Sequence, residues 1–325
     1  MHAAHHASGQ NLSRQTACEG FILVAVLWII AALATLATIF SVYLANTAVS
    51  LSLNDNSMQT EALISASLEL TAYQVTVPKE AIAPTRGAFN FRLARANVAV
   101  NFISEAARID LNAASRQLLA DFLAALGTPR QDAERFAERI EGWRTKPRAA
   151  PTSAASAPST ASAASDDAED ALYRAAGRNY LPRRGPFAHI DELSLVVDMP
   201  PALIERAKPF VTVYSGKPQI NVVDAAPEVL AAIPQMTPDL LNALTSARGT
   251  VADPQAISRM LGPLQDVATI EGSNAYRVQI RIRFDNGRQE AAEVVILTGL
   301  DDKPYQVLSW RADVVTREEK TMGLR

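Results

Sequence analysis

The stretch from Gly20 to Leu44 contains no charged residue, and no other feature limits so strongly what this chain can fold into. As a helix, Phe21 to Leu44 would measure roughly 36 Å at about 1.5 Å per residue, enough to cross a hydrocarbon core of about 30 Å. The pattern does not stop there. Asn46 to Tyr73 keeps apolar residues at helical intervals (Val49, Leu53, Leu63, Ile64, Leu68, Leu70), with no Pro or Gly before Pro78. The spacing predicts one continuous helix, apolar at its start and amphipathic later.

What precedes the apolar run decides the kind of membrane protein. Met1 to Gly20 is polar, with Gly20 directly before Phe21. A secretory signal would be cut after its apolar core, where Ala45-Asn46-Thr47-Ala48 offers only a weak small-residue site. The sharper junction lies before the core. A polar leader ending in Gly, then Phe, then a long apolar helix, resembles the leader of type IV pilins and type II secretion pseudopilins. That resemblance implies cleavage between Gly20 and Phe21 by a prepilin peptidase and N-methylation of Phe21. An ordinary uncleaved single-pass anchor is the alternative.

The chain has 325 residues and a net charge of -3, enough for one large or two modest globular units outside the membrane. A nearly neutral chain carries no footprint for nucleic acid. Its one cysteine, Cys18, falls in the proposed leader, so the mature chain would have no disulfide, thiol nucleophile or cysteine-based zinc site. Arg14 is the one Lys or Arg before the helix and Glu19 offsets it, so orientation follows from the length of chain that must lie on the far side.

After the helix, Val77-Pro78 and Pro84-Thr85-Arg86-Gly87 end the pattern. Phe89 to Leu93 and Val98 to Phe102 alternate in polarity and predict an antiparallel hairpin around Ala94-Arg95-Ala96-Asn97. Next, Ile109 to Leu119 aligns without gaps on Ile220 to Leu230. Each copy has an extended entry, a cap candidate (Asn112, Asp224) and a Leu-rich helix, which is either an internal repeat or two separately capped helices. A DNA-binding helix-hairpin-helix would need a Gly-hydrophobic-Gly turn, and Leu126-Gly127-Thr128-Pro129 has one Gly. Thr145 to Ser165, almost wholly Ala, Ser, Pro and Thr, predicts a disordered loop. Asp166, Asp167, Glu169 and Asp170 follow, a candidate calcium site or a solvated helix start. His189, near Asp191 and Glu192, has no histidine partner outside the leader and reads as a cap or surface residue. Strands are predicted at Phe210 to Tyr214, Tyr276 to Phe284, Glu293 to Leu297 and Tyr305 to Trp310, with Asp285-Asn286-Gly287 as a hairpin turn.

Four features together make the chain resemble the minor pseudopilin K family of type II secretion. They are the leader and helix with Leu23, Val24, Val26, Leu27 and Trp28; Arg108 to Ala114; Gly185-Pro186-Phe187 through Asp191-Glu192-Leu193 to Val211-Thr212-Val213-Tyr214-Ser215-Gly216; and Ile220-Asn221-Val222 with Ala226-Pro227, joined by Tyr305 to Arg311. The resemblance implies an α+β, pilin-like fold: a long N-terminal helix packed on an antiparallel sheet, with a large α-helical domain inserted in the sheet. The expected segments are a leader at 1–20, a transmembrane helix at 21–44 and its periplasmic continuation at 45–77. They continue with a β segment at 78–108, an inserted helical domain at 109–209 with its loop at 145–165, a β segment at 210–219, a second helical repeat at 220–270 and a C-terminal β segment at 271–325.

The resemblance also implies function. It gives a non-enzymatic inner-membrane protein with a periplasmic head, and it places the protein at the pseudopilus tip with minor pseudopilins I and J. Its other partners would be further pseudopilins, the prepilin peptidase and secreted proteins, with no nucleic acid. Most pilins have Glu at the fifth mature position, and here that position is Ala25. An unpaired carboxylate in hydrocarbon is costly, so a subunit with none ahead of it gains by lacking one. The family's calcium-associated pattern survives in part, in the Asp166 to Asp170 run; around Trp143 most of the acids are absent. A membrane-tethered periplasmic enzyme or receptor is the alternative from another class, although the chain has no nucleophile elbow, histidine constellation or phosphate loop.

Overall fold

The structure, a computed structural model, describes residues 16–76, 83–146, 160–250 and 254–312, with side chains described except at 16–21, 45–56, 160–167, 249–250, 254–255 and 263. The leader up to residue 15 and the loop core at 147–159 lie outside the described residues. The chain forms two compact units, one ending at Ala62 and the other beginning at Leu63.

The first element is a single helix, α1 (Thr16–Thr76), uninterrupted as its lack of Pro predicts. Within the first unit, Ile22–Leu44 has a mean hydropathy of 2.7 and none of it is buried. Length and composition therefore suit a bilayer span.

The second unit begins with the last turns of α1 and continues through β1 (Arg86–Leu93), β2 (Ala96–Ser104), β3 (Ile109–Asp110), α2 (Arg116–Ala125), α3 (Arg130–Arg144), α4 (Thr160–Ala175), α5 (Pro201–Ala207), β4 (Val211–Thr212), β5 (Ile220–Asn221), α6 (Pro227–Ala231), α7 (Pro238–Thr250), α8 (Pro254–Leu261), β6 (Ala268–Thr269), β7 (Ala275–Phe284), β8 (Gln289–Thr298) and β9 (Tyr305–Ala312). The main sheet is antiparallel in the order β1-β2-β7-β8-β9. Everything from β3 to β6 is thus inserted between the neighbouring strands β2 and β7.

Alternation puts Val98, Val100 and Phe102 of β2, Val278, Ile280 and Ile282 of β7, and Val294 and Ile296 of β8 on one face, where they pack with Leu63, Ile64, Leu68 and Val75 of α1. Small residues let the helix lie close. Ser67 and Thr71 are buried there, and each satisfies its hydroxyl on the carbonyl four residues back, Leu63 O and Ser67 O at 2.8 Å. Gly87 is required by its neighbour, since a Cβ there would come within 2.3 Å of the Phe102 ring.

Three sequence expectations are corrected. The β1–β2 turn is Ala94-Arg95 alone, both at positive φ, so Ala96 and Asn97 belong to β2. Such a two-residue turn matches strand twist even without its usual Asn-Gly, and this hid it. The run Phe210 to Tyr214 contributes no strand to the main sheet. Val211–Thr212 pairs in parallel with Ile109–Asp110, inside the inserted domain, because β2 is already flanked by β1 and β7. The 145–165 segment is not wholly a loop, because α4 begins at Thr160. Its alanines have high helix propensity, and this favours a helix where composition alone suggested disorder.

The inserted domain holds its own core, including Leu118, Phe122, Phe136, Trp143, Tyr173, Leu203, Leu230 and Leu261. Inside it the internal repeat is real. Two parallel strand pairs, β3 with β4 and β5 with β6, each close a set of helices. The helices following β3 and β5 are not capped as expected. Ser115 caps α2 by accepting from Leu118 N, and Ala226 precedes α6 without a side-chain cap. Asn112 instead exchanges two hydrogen bonds with the backbone of Phe187, at 3.0 and 2.7 Å.

Candidate functional site

The sequence-predicted processing and assembly residues fall on α1. Gly20 and Phe21 lie within the helix, and their side chains fall outside those described. Ala25 lies between exposed Val24 and Val26, with no polar atom in its side chain. Within the second unit, Ala66, Leu70 and Tyr73 recur every three or four residues opposite the buried stripe Leu63, Ile64, Leu68 and Val75. Leu70 and Tyr73 are exposed, so this part of the helix carries one apolar stripe on the sheet and further apolar side chains facing outward.

Two ion clusters fasten the inserted domain to the sheet. Glu105 leaves β2 fully buried. Its Oε1 accepts from Arg277 Nε of β7 at 2.8 Å and from Arg108 Nη1 at 3.2 Å, and its Oε2 from Arg277 Nη2 at 3.1 Å and from the Thr212 hydroxyl. Arg277 also reaches Glu293 of β8 at 2.5 Å. Burial pushes the Glu105 carboxyl up, but Arg277 and Arg108 outweigh it and hold the group below the usual glutamate range. Glu293 is held down in the same way, burial again being overcome by Arg277. The second cluster joins Arg86 Nε of β1 to buried Asp224 at 3.3 Å. A buried pair broken on one side typically costs about 3–5 kcal/mol, so the Glu105–Arg277 contact helps fix where the insert sits on the sheet, whereas the Arg86 side chain is mostly exposed and its pair with Asp224 is screened by solvent. Sequence reasoning missed Glu105, because no periodic signal marks a charge buried just beyond a strand end.

Of the acidic run, the two carboxylates described, Glu169 and Asp170, turn to different arginines. Glu169 bonds Arg139 at 2.7 Å, and Asp170 bonds Arg184 at 2.6 Å and lies 3.6 Å from Arg174. Burial raises the Glu169 carboxyl above its usual value despite Arg139. The side chains of Asp166 and Asp167 lie outside those described. Calcium wants six to eight oxygen ligands. Two of the four candidates are already neutralised by arginine, a poor fit to that ion. Among the described residues no group of three or more His, Cys, Asp and Glu is placed to hold a metal. His189 is the N-cap of a short 3₁₀ turn, Ile190–Leu195, accepting from Asp191 N at 3.2 Å, as its cap reading anticipated. Glu192 of that turn does more than favour a helix end: it accepts from the buried Trp143 indole at 3.3 Å, from Arg183 at 2.5 Å and from Ala188 N at 3.2 Å.

The fold is pilin-like in class: an N-terminal helix on an antiparallel sheet, here with a helical domain set between two adjacent strands. Residues 94–216 match the family model for Type II secretion system (T2SS), protein K. Among solved structures the chain is similar to one in the crystal structure of the GspK-GspI-GspJ complex from the enterotoxigenic Escherichia coli Type 2 Secretion System, with a TM-score of 0.55 and 20% identity, covering 82% of this chain and 99% of that one. No curated protein matches. The resemblance to protein K of type II secretion, read first from short motifs, thus stands on both a family model and a fold.

Proposed function

We propose that this chain is a minor pseudopilin of type II secretion, standing at the pseudopilus tip with minor pseudopilins I and J and promoting pseudopilus assembly for export across the outer membrane. One observation supports this above the others. The protein K match lies mainly in a helical domain inserted in a pilin-like sheet that follows a long apolar helix.

On this reading Ile22–Leu44 anchors in the inner membrane, the head is periplasmic, and the chain acts by packing rather than by catalysis. Prepilin peptidase cuts between Gly20 and Phe21 and methylates Phe21. Ala25 leaves no carboxylate to be neutralised by a subunit ahead, as suits a terminal position. The helix packs on partner helices, with Leu70 and Tyr73 among its outward apolar side chains, and the globular head blocks further addition at the top. Secreted proteins meet the head.

Expression with and without a prepilin peptidase, followed by amino-terminal sequencing, tests the class. Methylated Phe21 is expected only when the peptidase is present. An intact Met1, or a cut near Ala48, would instead point to a tethered or secreted periplasmic protein.

A further inference from the structure

Strict alternation breaks once along the edge strand β9. Val295 of β8 pairs with Ser309, but Ile296 pairs with Val307, so Leu308 is an extra residue and the strand bulges there. In a regular strand Val307 and Trp310, three residues apart, would point to opposite faces. With the bulge, Val307 stands opposite Ile296 and Trp310 opposite Val294, and both of those β8 side chains belong to the core that α1 covers. The bulge thus turns both apolar side chains of β9 onto the helix side of the sheet.

The end of α1 does not reach them. Val100 of β2, Ile280 of β7 and Val294 of β8 are no more than 1% exposed, whereas Val307 and Trp310 are 40% and 42% exposed. Among the described residues no strand follows β9 in the sheet. Burial, and after it the Glu69 carboxylate, push the Tyr305 phenol above its usual range, which sets Glu69 of α1 beside β9. Glu69 is exposed and makes no ion pair among the described residues. From this apolar ledge with an unpaired carboxylate at its side we propose a docking surface for an amphipathic helix of a partner protein. Its apolar stripe would cover Val307 and Trp310, and a Lys or Arg flanking that stripe would meet Glu69.

Geometry selects a helix over an added strand. A bulge twists an edge and interrupts its row of N–H and C=O groups, which blunts pairing with another strand. Packing on the face needs no such row. The strands that α1 covers are β2, β7 and β8, with β7 in the middle. From β7 to β9 is two strand spacings, about 9.6 Å, and packed helices lie about 8–10 Å apart, so a second helix beside α1 falls over β9. A tryptophan buried at a contact is a common anchor, while an exposed ion pair such as that at Glu69 governs the choice of partner more than the strength of binding. The surface belongs to the head and stands whether or not the chain is a minor pseudopilin.

The test replaces Val307 or Gln306 of the full-length chain by the photo-cross-linker p-benzoylphenylalanine in its native cells, and locates the labelled residue by mass spectrometry. Gln306 pairs with Leu297 and faces the other side of the sheet. The probe at 307 should label a partner segment whose apolar residues recur at helical spacing with Lys or Arg beside them, and the probe at 306 should not. Trp310→Ala should cut that labelling at least about tenfold. Glu69→Lys should cut it about two- to fivefold. Leu181→Ala, truncating a similarly exposed leucine of the inserted domain, should leave it unchanged and guards against a general loss of structure. The proposal is overturned by no label from 307, by equal label from 306, or by equal losses in Trp310→Ala and Leu181→Ala. Label on residues 313–325, on a second copy of this chain, on lipid, or on a partner segment without that pattern overturns it too. Amino-terminal sequencing of the same protein reads the Gly20–Phe21 cut separately, so failure of either idea shows by itself.

Discussion

The two halves of the inserted domain solve one structural problem with different side chains. In the first, Leu111 N bonds Thr212 O at 2.8 Å; in the second, Val222 N bonds Thr269 O at 2.9 Å. In the first, Arg144 donates to Leu111 O and Ala114 O; in the second, Arg248 donates to Val222 O and Ala225 O, the aligned carbonyls. Thr212 and Thr269 each accept from the backbone N–H two residues on, at 3.2 and 3.1 Å. The turn residue differs. Asp110 accepts from Asn112 N and Gly216 N, both at 2.7 Å. Asn221 accepts from Val223 N at 2.8 Å and donates its amide to Ile270 O and Glu271 O at 3.3 and 3.2 Å. The first half is also larger, with α4 and the 3₁₀ turn closing over Trp143. What a repeat preserves, then, is the set of backbone groups that must be satisfied, and the chemistry that satisfies them is free to change.

The largest way to break this comparison is Trp143→Ala. Its ring lies 6.1 Å from those of both Tyr173 and Phe187, in packing that the second half lacks. The loss should be about 3–5 kcal/mol. Hydrogen exchange should show it concentrated in 109–216, with β5 and β6 remaining protected; equal loosening of both halves would mean that they unfold as one.

Next come Arg144→Ala and Arg248→Ala, each leaving two carbonyls without their donor. Burial lowers both guanidinium pKa values, a sign of how far each is withdrawn from water. Urea denaturation should give about 2–4 kcal/mol for each. A silent Arg248 variant would end the equivalence.

The smallest effects come from exchanging the turn residues, and their pH trends should oppose. Asn221→Asp points a carboxylate at two carbonyls, costing about 2 kcal/mol at neutral pH, and the penalty should shrink as acid protonates the group. Asp110→Asn leaves one N–H facing an amide donor, for about 1 kcal/mol. Burial raises the Asp110 carboxyl above 3.8 in spite of its backbone hydrogen bonds. The folded wild type therefore binds this proton more tightly than the unfolded chain and gains stability as pH falls through the folded value. The variant lacks that gain, so its deficit should widen in acid. Parallel pH trends for the two variants would contradict the assigned hydrogen bonds.

Much of the architecture was legible in the residues themselves. The uninterrupted apolar and then amphipathic run gave α1, and alternation gave β2, β7 and β8, because burial on one face imposes a period that survives in a single sequence. The alignment of Ile109 to Leu119 on Ile220 to Leu230 exposed the repeat. Arg144 and Arg248 stayed hidden, since they lie at unequal distances from the carbonyls they hold. On α1, Gly20, Phe21 and Ala25 could be singled out by position, whereas the outward side chains Leu70 and Tyr73 needed the buried stripe to be known first.

By itself, then, the sequence determined the membrane-length helix, the polarity of each strand and the presence of two similar helical units, all properties of local period and composition. Only the tertiary structure decided that Val211–Thr212 joins Ile109–Asp110 and not the main sheet, and that Glu105 is buried against Arg277. Those outcomes depend on which segments meet across 100 residues or more of chain. Pairing over such distances is selected by register, desolvation and charge in three dimensions, and no local pattern encodes it.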